Sequence, residues 1–252
     1  MINKGWRIFA TGLCFFVFFF GGLVLAIFVL PIQGLFCKNK TQAEKHARKT
    51  VKSACQFFIF FMEITQISRF LVNYSTVLAN LRGNLIIANH PSLIDVVLLL
   101  SKIPDANCIV KAHLFSNPFI RGVIRNTGYI SNDDPEQLIE DCRLSLAQGH
   151  NLIIFPEGTR STPNQPLKFK RGAANIAIRC DAPMQCFRLD VNPITLTKAE
   201  KWYKVPSRKF VVNLTLLADA PVPDKQRTEP ISKSTRLYTR ELEQYYNKEL
   251  EK

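Results

Sequence analysis

The residues of this chain that could do chemistry are concentrated in two short polar segments, each directly after an apolar run. The first contains His90 and Asp95, which follow the run 84–88. A histidine can act as a general base near neutral pH, and a carboxylate can fix its tautomer and stabilise its cationic form. A strand before His90 and a helix that starts near Pro91, with Ser92 as its N-cap, would place both side chains on one turn. His90 and Asp95 are therefore the candidate catalytic pair.

The second polar segment is Phe155–Ser161, which follows the apolar run 151–154. It places a carboxylate, a glycine, a hydroxyl and a guanidinium at four successive positions. An arginine can bind a phosphate through two parallel hydrogen bonds, and a glycine lets backbone N–H groups approach an anion closely. The alternative is a surface turn whose carboxylate and guanidinium pair in solvent. We favour an acceptor- or phosphate-binding role for four residues: Glu157, Gly158, Thr159 and Arg160.

Taken together, Asn89–Asp95, with its His-x-x-x-x-Asp (HX4D) spacing, and Phe155–Ser161 resemble the motifs of the glycerolipid (lysophospholipid) acyltransferases. The likeness is strongest to the bacterial PlsC type, and it extends from about Gly83 to Thr197. It implies an α/β acyltransferase domain and a lysolipid acceptor such as 1-acyl-glycerol-3-phosphate. It also implies an acyl thioester of coenzyme A or of acyl carrier protein as co-substrate, with no further cofactor.

Under this hypothesis, His90 removes the proton of the acceptor hydroxyl as that oxygen attacks the thioester carbonyl. A covalent route through Ser92 is the less favoured alternative, because a serine on the same turn as the base is poorly placed for activation. Basic residues outside the two motifs could bind the acidic substrates or the surface of an acyl carrier protein. These candidate substrate-binding residues are Lys111, Arg121, Lys170 and Arg171.

The segment Gly128–Asn132 departs from the pattern of the PlsC type. Many members have an arginine where this chain has Asn132, and that arginine contacts the acceptor phosphate. Asp133 and Asp134 add negative charge nearby, which disfavours a phosphate. The sequence therefore leaves open a lysolipid acceptor with another headgroup, such as an amino-acid, sugar or polyene lipid.

The amino-terminal segment is predicted to enter a membrane, because no charged residue occurs from Ile8 to Cys37. A helix over Ile8–Leu30 would be about 35 Å long, enough to cross a hydrocarbon core. Gly21, Gly22 and Pro31 leave a kinked or re-entrant path open. The basic residues of the segment 38–52 place the following domain on the cytoplasmic side of the inner membrane and would attract anionic lipids.

A second apolar stretch, Val51–Val72, has a narrow polar stripe formed by Lys52, Gln56, Glu63 and Gln66 at helical spacing. This pattern predicts a helix that lies partly in the membrane interface or packs beneath the domain. An ordinary buried helix is the alternative. The sequence thus divides into a membrane segment (1–37), a basic linker with an apolar helix (38–82) and an α/β acyltransferase domain (83–252). Within the last part we expect a mixed sheet flanked by helices and a mostly solvated helix over Ser232–Lys252.

Other functional classes fit the composition less well. The net charge of +13 is compatible with nucleic-acid binding, but much of it borders the membrane segment and no nucleic-acid motif is present. A non-catalytic lipid-binding protein of the same fold would have little reason to keep both His90 and Asp95. The seven cysteines are unpatterned and are predicted to be free thiols. No group of residues has the spacing of a metal site.

Overall fold

The computed structural model describes residues 4–198, 200–224 and 229–251. A seven-stranded sheet in the order β1-β7-β6-β2-β5-β3-β4 forms its centre. The β6–β7 pair is antiparallel, whereas every other neighbouring pair is parallel. The predicted mixed α/β sheet is therefore confirmed. The strands are β1 (Ser68–Val72), β2 (Leu85–Ala88), β3 (Ala106–Val110), β4 (Ile130–Ser131), β5 (Asn151–Ile154), β6 (Met184–Asn192) and β7 (Phe210–Leu217).

The two short strands β2 and β5 lie side by side at the centre of the sheet. All residues of both strands are buried, as expected for continuous apolar runs covered on both faces. Because they run parallel, the two predicted motifs emerge together at their carboxyl ends. The sheet begins at Ser68, which lies before Gly83 and within the segment that the sequence predicted to be a linker and helix.

Helices cover both faces of the sheet. They are α1 (Lys4–Val24), α2 (Leu30–Leu35), α3 (Lys40–Ile64), α4 (Ser75–Asn80), α5 (Asp95–Lys102), α6 (Arg121–Thr127), α7 (Pro135–Ala147), α8 (Arg171–Cys180) and α9 (Ile231–Leu250), with a 3₁₀ turn at Ala112–Ser116. The prediction that the last helix is mostly solvated is wrong. Its residues Tyr238, Leu242 and Tyr246 are fully buried, and the Tyr246 hydroxyl lies 2.9 Å from the carbonyl oxygen of Ile87 in β2.

The first two helices form one continuous apolar rod. A π-helical turn at Leu25–Val29 joins α1 to α2. It ends two residues before Pro31, which has no N–H to donate to the helix. Within the described residues, only the rod Lys4–Leu35 is long and apolar enough to cross a membrane, by length and composition. Its exposed side chains include Phe9, Phe16 and Phe20.

Helix α3 returns alongside this rod, with the Trp6 indole N–H donating to the Thr65 carbonyl oxygen. Two residues of its polar stripe bond the domain: Lys52 and Gln56 donate to carbonyl oxygens at the end of α5. Three apolar side chains of the same helix are exposed: Phe57, Phe60 and Ile64. The helix therefore packs against the domain while part of its apolar surface stays uncovered, so it is not an ordinary buried helix.

The prediction that one helix runs from Val51 to Val72 is wrong at its carboxyl end. The helix stops at Ile64, and Gln66 adopts a left-handed conformation with φ 61°. Residues Ser68–Val72 form β1, whose Phe70 N–H donates to the Glu63 carboxylate. An apolar run of β-branched and aromatic residues fits a helix or a strand, and here pairing with β7 decides between them.

A buried ion cluster joins α3 to the domain. Arg48, only 3% exposed, donates to Asp105 Oδ1 at 2.6 Å and to the Thr127 carbonyl oxygen at 2.9 Å. His150 Nδ1 lies 2.9 Å from the other oxygen of Asp105. Burial alone would raise the pKa of the Asp105 carboxyl, but hydrogen bonds and charge from His150 and Arg48 outweigh it and lower the pKa to about 2.

We predict that Asp105 stabilises the fold in a pH-dependent way. Because its pKa is lower in the folded chain than in the unfolded one, its contribution is complete above about pH 4 and is lost as the pH falls toward 2. Asp105→Asn should lower the free energy of unfolding by about 2 kcal/mol at neutral pH and flatten this acid dependence. Denaturant titrations in detergent between pH 2 and 7 measure both effects.

The matched control for Asp105 is Glu140→Gln, which removes a half-exposed carboxylate paired with Arg143. Surface pairs contribute little, so its unfolding curve should stay close to that of the wild type. Equal effects of the two substitutions would contradict the prediction.

Candidate active site

The two sequence motifs meet at the carboxyl ends of β2 and β5. The turn Asn89–Ile94, which we call the catalytic turn, leads from β2 into α5, whose first residue is Asp95. The segment Phe155–Ser161, which we call the second turn, leaves β5. Ligand sites of open α/β sheets form outside the carboxyl ends of the strands, and the structure places the candidate catalytic pair there.

His90 and Asp95 form a hydrogen-bonded pair. His90 Nδ1 lies 2.9 Å from Asp95 Oδ2, which also accepts the Ser92 N–H at 2.6 Å. Since the carboxylate accepts, Nδ1 carries the proton and Nε2 is the basic nitrogen. Asp95 is completely buried, and this burial raises the pKa of its carboxyl, opposed by hydrogen bonds from His90 and Ser92. The His90 side chain keeps 16% of its surface exposed, so the imidazole is reachable from solvent.

Backbone hydrogen bonds lock the two turns together around His90. Its N–H donates to Glu157 Oε1 at 2.8 Å, and its carbonyl oxygen accepts the Ser161 N–H at 2.7 Å. The Phe155 ring stacks on the imidazole with centroids 4.2 Å apart. Burial raises the pKa of the Glu157 carboxyl. The structure therefore assigns Glu157 a contact with the backbone of His90.

Asn89 fixes the place where the catalytic turn leaves the sheet. Its side-chain amide donates to the Leu189 carbonyl oxygen at 2.8 Å and accepts the Leu189 N–H at 2.7 Å. The β2–β6 ladder ends one residue earlier, at Ala88. The Asn89 side chain thus continues the pairing with β6 while the main chain turns away.

Ser92 is not the N-cap that the sequence predicted. The helix begins at Asp95, and no side chain caps it. The Ser92 hydroxyl is fully buried and donates to the Thr195 carbonyl oxygen at 2.9 Å. The next residue, Leu93, donates its N–H to the Leu196 carbonyl oxygen at 3.2 Å. A loop after β6 therefore supports the catalytic turn.

Gly158 and Lys170 lie against each other. Gly158 has φ +65°, and a Cβ at this position would lie 3.0 Å from Cδ of Lys170. Both the left-handed backbone and the crossing lysine side chain therefore require glycine here. The Lys170 N–H donates to the Pro156 carbonyl oxygen at 2.8 Å. Lys170 is exposed, so its ammonium lies at the surface beside the second turn.

Arg160 faces the loop after β6. Its Nη1 donates to the carbonyl oxygens of Leu196 at 2.8 Å and Thr197 at 3.0 Å. The alternative of a surface turn required a solvent-exposed ion pair between Arg160 and Glu157. This pair is not formed, because Glu157 is buried against the backbone of His90. The other guanidinium nitrogens of Arg160 are the ones that a bound anion would have to use.

The remaining basic candidates lie further from the pair. Lys111 follows β3, which adjoins β5, so it lies at the same edge of the sheet. Arg121 begins α6 and Arg171 begins α8, and both are exposed. The structure brings none of these three into hydrogen-bond contact with His90 or Asp95. Nowhere in the described ranges do three His, Cys, Asp or Glu side chains form a group that could hold a metal.

The Asn132 side chain stabilises the local backbone. Its Oδ1 accepts the Ala112 N–H at 3.0 Å, at the start of the 3₁₀ turn that follows Lys111. Asp134 caps α7 by accepting the N–H groups of Glu136 and Gln137. Asn132, Asp133 and Asp134 suggested an unusual acceptor headgroup in the sequence. The structure gives two of them, Asn132 and Asp134, a structural role.

Sequence reasoning missed the loop after β6. Thr195, Leu196 and Thr197 support the catalytic turn through backbone carbonyl groups, which leave no signature in residue types. Further along the same loop, Trp202 packs on α1: a Cβ at Gly12 would lie 3.2 Å from Cζ3 of the indole. The rings of Trp202 and Phe15 have centroids 6.2 Å apart.

Comparisons with known proteins agree with this geometry. Residues 69–190 match the acyltransferase family. A 1-acyl-sn-glycerol-3-phosphate acyltransferase of Helicobacter pylori is 35% identical over 126 residues, covering 47% of this chain and 50% of that protein. One from Cocos nucifera is 31% identical over 144 residues, covering 54% and 44%. The chain thus spans about half the length of the curated relatives it matches.

A solved structure shows the same fold over nearly the whole chain. The crystal structure of the 1-acyl-sn-glycerophosphate acyltransferase PlsC from Thermotoga maritima superimposes with a TM-score of 0.70 and 20% sequence identity, covering 99% of each chain. The matched region 69–190 contains both turns and the strands that carry them. The central part of the chain therefore matches the acyltransferase family, and the whole chain has the fold of the PlsC structure.

Proposed function

We propose that this chain is a membrane-bound O-acyltransferase that acylates the free hydroxyl of a lysophospholipid, 1-acyl-glycerol-3-phosphate in the first place. The acyl donor is a thioester of coenzyme A or acyl carrier protein. The observation that carries the proposal is the buried Asp95 carboxylate hydrogen-bonded to His90 Nδ1, which leaves Nε2 as a base at the sheet edge. The names of the curated relatives support the choice of acceptor.

The proposed reaction is a direct transfer. His90 Nε2 takes the proton of the acceptor hydroxyl as the oxygen attacks the thioester carbonyl, and Asp95 stabilises the resulting imidazolium. The C–S bond of the tetrahedral intermediate then breaks, and the departing thiolate takes up the proton. Arg160, Gly158 and Thr159 would hold the acceptor headgroup, and exposed basic side chains around the second turn would bind the phosphate groups of donor or acceptor. Those side chains are Lys111, Arg121, Lys170 and Arg171.

The direct route is favoured over a covalent one by the position of Ser92. Its hydroxyl is fully buried and donates to the Thr195 carbonyl oxygen, so it does not point its proton toward His90. Activation of a serine nucleophile needs a hydrogen bond to the base. The covalent alternative therefore has no geometric support.

Phosphatidic-acid chemistry is favoured over another headgroup by the tasks of Asn132 and Asp134 described above. Asn132 bonds the backbone beside Lys111 and Asp134 caps a helix, so neither needs an unusual acceptor to explain it. A lysolipid with an amino-acid, sugar or polyene headgroup remains the second candidate, since Asn132 brings no positive charge.

Membrane association is proposed from the exposed apolar faces of α1 and α3. Phe16 and Phe57 are 61% and 58% exposed, and burying such a side chain in an apolar medium contributes about 2 kcal/mol. Lys40, Lys45 and Lys49 on α3 are exposed and could contact anionic headgroups. Arg48 and Lys52, which the sequence placed in the same basic flank, are bound to the domain instead. We propose that the catalytic domain faces the cytoplasm at the inner membrane.

We predict that His90→Ala abolishes transfer while leaving the fold intact. Purified protein in anionic vesicles would be offered lysophosphatidic acid and a panel of other lysolipids, with coenzyme A and carrier-protein thioesters. Loss of a general base should lower kcat by about 10²–10⁴-fold.

His46→Ala, a change of an exposed histidine on α3, is the matched control and should retain activity. Transfer by the wild type to another lysolipid alone would assign the changed headgroup, and no transfer at all would favour a binding protein.

We predict that no acyl-enzyme accumulates. Mixing the protein with an acyl thioester in the absence of acceptor should leave its intact mass unchanged, because the Ser92 hydroxyl is bound to Thr195. Mass spectrometry of the quenched reaction is the measurement. A mass increase of one acyl group that disappears in Ser92→Ala would overturn the direct mechanism.

We predict that the catalytic domain is accessible from the cytoplasmic side. Trypsin should cut at the exposed basic residues Lys168, Lys170 and Arg171 in inside-out membrane vesicles and spare them in right-side-out ones. Immunoblots of both preparations, with a periplasmic marker as the control for sidedness, measure this. Cleavage restricted to right-side-out vesicles would reverse the proposed orientation.

A further inference from the structure

The catalytic turn is held by a three-residue segment, Thr195–Thr197, in the loop after β6. Thr195 accepts from the Ser92 hydroxyl at 2.9 Å, and Leu196 accepts from the Leu93 N–H at 3.2 Å. Thr195 and Thr197 are each only 3% exposed. Ser92 also donates its N–H to Asp95 Oδ2. The position of this segment therefore bears directly on the residues that orient His90.

Arg160 holds the same segment from the other side. Its Nη1 donates to the carbonyl oxygens of both Leu196 and Thr197, at 2.8 and 3.0 Å. The Leu196 carbonyl oxygen is thus shared between the catalytic turn and the guanidinium. A charged donor strengthens such hydrogen bonds relative to a neutral one.

The backbone at Leu196 is strained to make these contacts. Its φ is +56°, in the left-handed region, which L-residues other than glycine rarely adopt. Such strain persists only where surrounding contacts determine the conformation, and it is typical of functional sites. Here the surrounding contacts are the two donors that share the Leu196 carbonyl oxygen.

We propose that Arg160 is a positioning residue for the catalytic pair, in addition to any contact with the acceptor headgroup. Through Nη1 it fixes the segment 195–197, which fixes Ser92 and Leu93 and so keeps Asp95 against His90 Nδ1. The expected effect of this role on kcat rests on the proposed acyltransferase function. The sequence predicted phosphate binding alone for Arg160.

The positioning role and the phosphate role differ in what Arg160→Gln does. Loss of a positioning contact displaces the catalytic turn whatever is bound, so kcat at saturating lysophosphatidic acid should fall about 10- to 100-fold. Loss of a phosphate contact alone should raise KM for lysophosphatidic acid and leave kcat unchanged. Arg160→Lys keeps a cationic donor near the two carbonyl oxygens and should recover part of kcat.

A readout without substrate separates the two roles further. In the wild type, the proton on His90 Nδ1, bonded to Asp95 at 2.9 Å, should give a downfield ¹H resonance in the free protein. Arg160→Gln should shift or broaden this resonance. Arg179→Gln, which changes an exposed arginine in the last turn of α8, is the matched control and should leave both the resonance and kcat unchanged.

Ser92→Ala supplies the second variant, since it cuts the link between the turn and the same segment. If Arg160 and Ser92 act through one segment, the double variant should lose less kcat than the product of the single losses. Independent effects, or a change in KM alone with an unchanged His90 resonance, would overturn the proposal. If the wild type transfers no acyl group, the proposed function fails, while the resonance still decides the positioning role.

Discussion

The structure of the site depends on the hydrogen bond from the His90 N–H to the buried carboxylate of Glu157. Glu157 lies beneath the catalytic turn, only 6% exposed, and takes the N–H of His90. A buried carboxylate is costly unless it is hydrogen-bonded, so moving the catalytic turn away would remove a bond that stabilises Glu157. The return bond from the Ser161 N–H to the His90 carbonyl oxygen closes the connection. The two motifs are therefore one structural unit on adjacent parallel strands.

The surface of the amino-terminal helices α1 and α3 carries exposed aromatic side chains, unlike a typical water-exposed surface. Helix α3 bonds Lys52 and Gln56 to the end of α5 and leaves Phe57 and Phe60 exposed. In water this arrangement would lose the burial of large aromatic side chains, whereas an apolar surrounding medium would favour it. The buried cluster around Arg48 joins this helix to the sheet domain.

The central features could be predicted from the sequence because each has a local cause. The short apolar runs before His90 and before Phe155 fix β2 and β5, and the parallel arrangement brings the motifs together. Val51–Val72 could not be divided correctly, since only pairing with β7 makes its end a strand. The tasks of Ser92 and Arg160 could not be predicted either. Their partners are carbonyl oxygens about 100 and 36 residues away, and every residue type offers a carbonyl.

The contact between Trp202 and α1 links the amino-terminal rod to the loop that supports the candidate site. The loop that bears Trp202 begins at the segment holding the catalytic turn and ends on Gly12 and Phe15. A different helix in place of residues 4–35 would offer the indole no matching surface. The position of the loop after β6 therefore depends on the sequence of a helix near the amino terminus.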